Sequence, residues 1–194
     1  MKTIKLPINM SEEDISFLNN MRREQSSVVR YSYNRFMEGK NQKEIRDLVK
    51  TLNINNLDSW FIQSGVMEGQ AIYTRFKDQD PIIFGGKDLF EAYNSGKIDK
   101  AELKEARLRP LNIEGEAPQN GNRKFELDII KNNRVLLKPF DKKKIYIDLP
   151  KLKKNYKKEL LLLQQLTSNK ELAYTVKLTD KNIFLLLSWT RFRG

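Results

Sequence analysis

The sequence predicts an α+β protein: a small β-barrel-like domain, built from an N-terminal strand and C-terminal strands, with a helical lobe inserted between them. Three observations predict it. A single strand-like segment opens the chain, helical periodicity fills residues 11–110, and strand-like alternation dominates residues 111–194. A lone first strand must find hydrogen-bonding partners, and the β-rich block is where they lie. The expected domains are therefore 1–10 with 111–194, and 11–110 as the insertion.

Each element has a local cause. Ile4, Leu6 and Ile8 alternate with Thr3, Lys5 and Pro7, which makes Lys2–Ile8 a strand, and Pro7 puts it at an edge or ends it. Ser11 caps a helix with Asp14 in the capping-box position. Ile15, Leu18, Met21, Gln25, Val28, Val29, Ser32 and Phe36 trace its inner face, and Gly39 stops it. Asn41–Leu52 is a shorter helix with Ile45, Leu48, Val49 and Leu52 inward. Asp58 caps a third, Ser59–Lys77, which Gly65 and Gly69 weaken and Pro81 ends. Ile82–Gly86 is an extended segment into a turn, and Asp88–Asn94 is a helix closed by Gly96. Asp99 caps Lys100–Arg107, ended by Pro110.

Leu111–Ile113, Lys124–Ile130, Val135–Pro139 and Lys144–Leu149 read as strands. They are joined by Asn120-Gly121, Asn132-Asn133 and Asp141-Lys142, pairs that tolerate tight turns. Asn155–Leu166 is an apolar helix whose run Leu160–Leu163 is too continuous to leave much of it exposed. Ala173–Leu178 and Asn182–Trp189 form a last hairpin around Thr179-Asp180-Lys181. There is no internal repeat and no low-complexity segment.

Composition narrows the chemistry. Without cysteine the chain has no disulfide, no thiolate-bound zinc, no iron–sulfur cluster and no thiol nucleophile; without histidine it lacks the usual general base and the commonest metal ligand. No cofactor is implied. The apolar runs are far shorter than the roughly 20 residues of a membrane span, and Met1–Pro7 has no apolar leader. A cytosolic protein of a bacterial host or a phage-infected cell is expected, with no membrane partner.

The net charge of +11 is concentrated. Residues 1–130 carry 20 basic and 20 acidic side chains, whereas residues 131–158 carry 11 basic ones against Asp141 and Asp148. If these cations share one face, they attract phosphates by releasing condensed counterions; the alternative is a solvated lysine-rich surface. Lys138, Lys142, Lys143, Lys144, Lys153 and Lys154 are the candidates in this stretch. Arg107 and Arg109 either answer a helix macrodipole or grip phosphate as bidentate forks. Asn122, Arg123 and Lys124 follow a turn glycine, where they either meet a phosphate or simply decorate a hairpin tip. Trp60, Gln63, Met67, Gln70 and Tyr73 share one helix face, which is either a core stripe or a surface on which bases stack. Phe84-Gly85-Gly86-Lys87 lacks the spacing of a phosphate-cradling loop and reads as a turn before a helix. Glu114 and Glu116 face one side without a third acid, so no metal cluster is visible.

The ordered set Tyr33-Asn34, Gln63 and Gln70, Ile83–Lys87, Gly96-Lys97-Ile98, Arg107–Leu111, Gly115-Glu116, Gly121–Phe125, Tyr174–Leu178 and Ile183–Leu187 resembles the N-terminal part of TnpB-like transposon-associated RNA-guided nucleases and their phage-borne and type V CRISPR relatives. The resemblance covers the chain to about Leu187. It implies a wedge domain carrying a recognition lobe, which grips a guide RNA or an RNA–DNA duplex. The family's RuvC-like nuclease domain and zinc ribbon have no counterpart in this sequence, so no catalytic residue carries over.

Three functions are therefore open. The first is a module that binds RNA, with DNA as a second ligand, not catalytic alone and working with a separately encoded RuvC-like nuclease subunit. The second is a phage or mobile-element accessory protein that docks on a host protein through Trp189 and Phe192. The third is a carboxylate- and magnesium-dependent nuclease.

Overall fold

A computed structural model describes residues 2–52, 54–140, 143–150 and 154–188, and the fold is α+β. The element order is β1 (Lys2–Pro7), α1 (Glu12–Met37), α2 (Gln42–Lys50), α3 (Ser59–Phe76), α4 (Lys87–Asn94), α5 (Lys100–Ala106), β2 (Leu111–Ile113), β3 (Phe125–Asp128), α6 (Ile129–Asn132), β4 (Arg134–Phe140), β5 (Lys143–Asp148), α7 (Lys154–Ser168), β6 (Ala173–Leu178) and β7 (Asn182–Ser188). Two compact units result. Unit 1 comprises residues 1–19 and 111–194, and unit 2 comprises residues 20–110. Among the described residues no helix is long and apolar enough to cross a membrane.

Unit 1 holds two antiparallel sheets, ordered β1-β7-β6-β2 and β3-β4-β5. The first strand finds its partner in the C-terminal block, with Ile4 opposite Leu185 and Leu6 opposite Ile183. Pro7 is harmless there because β1 is an edge strand. Period-2 alternation buries Ile4, Leu6, Ile183, Leu185, Val176 and Leu178 on one face. The expected barrel does not close among the described residues. β1 and β2 occupy opposite edges of the four-stranded sheet, and outside the strands Asn9 and Asp148 form a lone bridge between β1's end and β5. A closed barrel would need a continuous ladder at that seam.

Two further expectations are corrected. The strand predicted over Lys124–Ile130 ends at Asp128, and Ile129 begins the short helix α6. Gln164 of α7 explains the switch, because its Oε1 accepts the N–H groups of Ile129 (3.1 Å) and Ile130 (3.3 Å) and so satisfies two helix-start donors. The leucine run of α7 is not all inward. Leu160 and Leu163 are buried but Leu162 is 54% exposed, as the 3.6-residue period requires.

Unit 2 is helical and capped where the sequence marks caps. Asn41 and Asp99 each make a full capping box, with Glu44 and Glu102, and the Asp58 carboxylate accepts from Trp60 and Phe61 N–H. Of the two readings of the Trp60–Tyr73 face of α3, a core stripe is not what the inner face shows. Phe61, Ser64, Gly65, Val66 and Gly69 are buried, while Met67 and Gln70 are exposed. The glycines that weaken the helix in isolation let it approach α1 closely. A methyl on Gly69 would lie 2.8 Å from Ser32 Cβ and 2.9 Å from the Val29 carbonyl oxygen, and one on Gly65 would lie 3.0 Å from Val28 Cγ1. Gln25 crosses this contact and donates to the Phe61 carbonyl (2.9 Å).

Candidate nucleic-acid interface

One motif singled out in the sequence, Gly121–Phe125, is organised by a single side chain, Asn122. Its amide nitrogen donates to the carbonyls of Ile113 (3.0 Å) and Tyr174 (3.1 Å), and its oxygen accepts from the N–H of Lys124 (3.0 Å) and Phe125 (3.1 Å). A primary amide has two donors and two lone pairs, so its capacity is fully used. Asn122 is therefore a latch between the β2–β6 edge of one sheet and the start of β3 in the other. It has nothing left to offer a ligand, and its sequence-based assignment as a binding residue gives way to a structural one.

Tyr174 completes the latch. Its N–H donates to the Gly121 carbonyl (3.1 Å), its hydroxyl donates to the Phe125 carbonyl (2.7 Å), and its ring meets Phe125 edge-on at 6.4 Å. Burial, with a smaller contribution from Glu126, holds its phenol protonated well above the ordinary tyrosine value. An acid whose pKa is raised on folding adds stability below its unfolded pKa, and that stability is lost as pH rises above it. Tyr174→Phe is therefore expected to lose about 1 kcal/mol at neutral pH. It is also expected to fall less steeply in stability above about pH 10, the unfolded tyrosine value. Urea melts of both proteins at pH 8 and above pH 10 check this, since other titrating groups are common to the pair.

The latch holds the turn at Asn120–Arg123 beside the C-terminal end of α7, and a polar cleft of about 350 Å³ opens between them. Arg123 is exposed on its rim, and Lys138, Gln164, Thr167 and Lys170 also line it. Lys138 is ion-paired to Glu126 at 2.6 Å. Lys124, by contrast, is only 6% exposed.

The basic stretch is not one bare patch. On the outer face of β3-β4-β5, Arg134 pairs with Asp128 at 3.0 Å and covers the Tyr146 ring at 4.2 Å. Glu126, Asp128 and Asp148 thus share that face with Arg134, Lys138 and Lys144, and near cancellation follows from the antiparallel register. Lys143 Nζ sits 3.6 Å from the Phe17 ring centroid. Lys144 and Lys154 are exposed. Lys142 and Lys153, like Trp189 and Phe192, lie outside the described residues.

In unit 2, Arg107 is the C-cap of α5, Arg109 lies in the segment after it, and Arg109 pairs with Glu68 at 2.6 Å. Phe84–Lys87 is a turn into α4, with Phe84 edge-on to Tyr33 at 5.4 Å. Trp60 and Gln63 face away from the core onto a groove of about 750 Å³, which Lys43, Arg46 and Lys50 of α2 also line. Arg46 donates to Gln63 Oε1 at 3.0 Å. The position of that groove follows from the glycine face being the inner one, a signal present in the Gly-x-x-x-Gly spacing of residues 65–69. Among the described residues no group of three or more acidic side chains is arranged to hold a metal ion.

No curated protein and no solved structure matches the chain. A family model, the SSO2105 N-terminal domain, matches residues 1–188 of the 194. With nearly its whole length inside that match, the chain belongs to the SSO2105 N-terminal domain family.

Proposed function

We propose that this chain is a nucleic-acid-binding module, holding a guide RNA or an RNA–DNA duplex within an RNA-guided DNA-targeting system, with no cleavage activity of its own. The observation that carries the reading is the backbone of Lys170, on the rim of the unit 1 cleft. Lys170 ends α7 in the left-handed conformation (φ 62°), its N–H bonded to the Thr167 carbonyl and the next N–H to that of Leu166. Glycine is the residue of least strain in such a helix cap. Keeping lysine there costs about 1 kcal/mol, and it puts a cation on the same cleft as Arg123. Strain retained beside a polar cleft supports the reading that this charge serves binding.

The test is fluorescence anisotropy of a structured RNA hairpin at increasing salt. Wild-type affinity is expected to fall steeply, with a slope on the order of one per phosphate contact. Lys170→Gly is expected to gain about 1 kcal/mol of stability while losing affinity several-fold and about one unit of slope. Arg123→Gln is expected to lose affinity in the same way without the gain in stability. A flat salt dependence, or unchanged affinity in both variants, overturns the reading.

A further inference from the structure

Unit 2 lays the arginine-bearing segment after α5 along an arginine-bearing stripe of α1. Arg22, Ser26 and Arg30 lie four residues apart on one stripe of α1, and the segment after α5 runs along it. Arg22 Nε donates to the Arg109 carbonyl (3.1 Å), and the Arg109 N–H donates to Ser26 Oγ (3.0 Å). This anchoring runs the segment of residues 107–109 along the stripe that carries Arg30, so that Leu108 and Arg30 line one pocket, and Arg30 Nη2 donates to Ser27 Oγ at 3.0 Å. The Arg30 guanidinium is pushed below its usual value, first by burial and then by Arg107 and Arg109.

The compensation is incomplete. Glu68 takes Arg109 at 2.6 Å. Arg107 lies over the Phe90 ring at 5.9 Å, with its stem against Gly85. The Nε atoms of Arg107 and Arg109 are buried without a hydrogen-bond acceptor. Among the described residues neither Arg30 nor Arg107 pairs with a carboxylate. Like charges brought together and partly desolvated repel, and an anion bound between them would relieve that repulsion. A phosphate fits best, because guanidinium forks bind its oxygens in pairs and its charge offsets more than one cation.

We propose that Arg30, Arg107 and Arg109 form an oxyanion site that takes a phosphate group. The proposal rests on the nucleic-acid reading for the source of that phosphate, but its first test uses none. The full chain is melted in inorganic phosphate and in chloride of equal ionic strength. Wild type is expected to melt several degrees higher in phosphate. Arg107→Gln is expected to lose that increment, and Arg30→Gln to lose it as well. Arg75→Gln, on the exposed end of α3, is expected to keep it. An increment retained in both Arg30→Gln and Arg107→Gln, or absent from wild type, overturns the site.

The second arm titrates the RNA hairpin into wild type and Arg107→Gln. A loss of about five- to tenfold in affinity identifies the nucleic-acid backbone as the source. Unchanged RNA affinity beside a lost phosphate increment identifies a free phosphate compound. Wild type that binds no RNA while keeping the phosphate increment defeats the nucleic-acid reading and leaves the site standing.

Discussion

Gly115→Ala is expected to destabilise unit 1 by about 3 kcal/mol or more, lowering its melting temperature by roughly 10 °C. The cause is steric and has no soft partner. A methyl at position 115 would run into the carbonyl oxygens of Tyr174 and Gly121. Both are backbone atoms, and both are already committed. The Tyr174 carbonyl accepts from Asn122, and the Gly121 carbonyl accepts from Tyr174. Relief requires β2 to move away from β6, which breaks the register of Ile113 with Val176. Thermal unfolding of Gly115→Ala beside Glu116→Ala checks this. Glu116 is exposed, so its variant is expected to stay within about 0.5 kcal/mol of wild type. Equal melting temperatures for the two variants would mean that the strands do not approach at Gly115.

Asn122→Ala is expected to lose about 3–5 kcal/mol, because four backbone groups lose their partner at once. Asn122→Asp separates the two halves of the latch. It keeps the oxygen that accepts from Lys124 and Phe125, but turns a second oxygen toward the carbonyls of Ile113 and Tyr174. Repulsion there is expected to make it no more stable than the alanine variant at neutral pH. Urea denaturation with an unchanged m-value supports a loss of native contacts. Recovery of wild-type stability by Asn122→Asp would show that the acceptor half alone carries the effect. Because the latch positions the turn that carries Arg123, both variants are also expected to weaken RNA binding under conditions where they remain folded.

Reading the sequence reached the helix caps, the edge position of β1 and its need for C-terminal partners. It misjudged α3. Trp60, Gln63, Met67, Gln70 and Tyr73 look like a core stripe by hydropathy, yet the glycines define the inner face, because a helix–helix contact selects for close approach as well as for apolar area. Following a turn glycine, Asn122, Arg123 and Lys124 look alike in the sequence. Asn122 and Lys124 are buried, while Arg123 is exposed on the cleft rim. Arg30 carried no signal of its own, since a single arginine on a long helix is unremarkable until the Arg107–Pro110 segment is laid against it.

By itself the sequence determined where helices begin, which strand positions turn inward, the α+β class and the excess of positive charge. These follow from spacings of two to four residues and from counting, so they are present before the chain folds. Tertiary structure alone decided which cations are matched by carboxylates. It also decided that one asparagine joins two sheets. Such facts depend on residues brought together across 52 positions for Asn122 and Tyr174, and 87 for Arg22 and Arg109. Hydrogen bonds and ion pairs are short-ranged, so no local pattern in the chain records them.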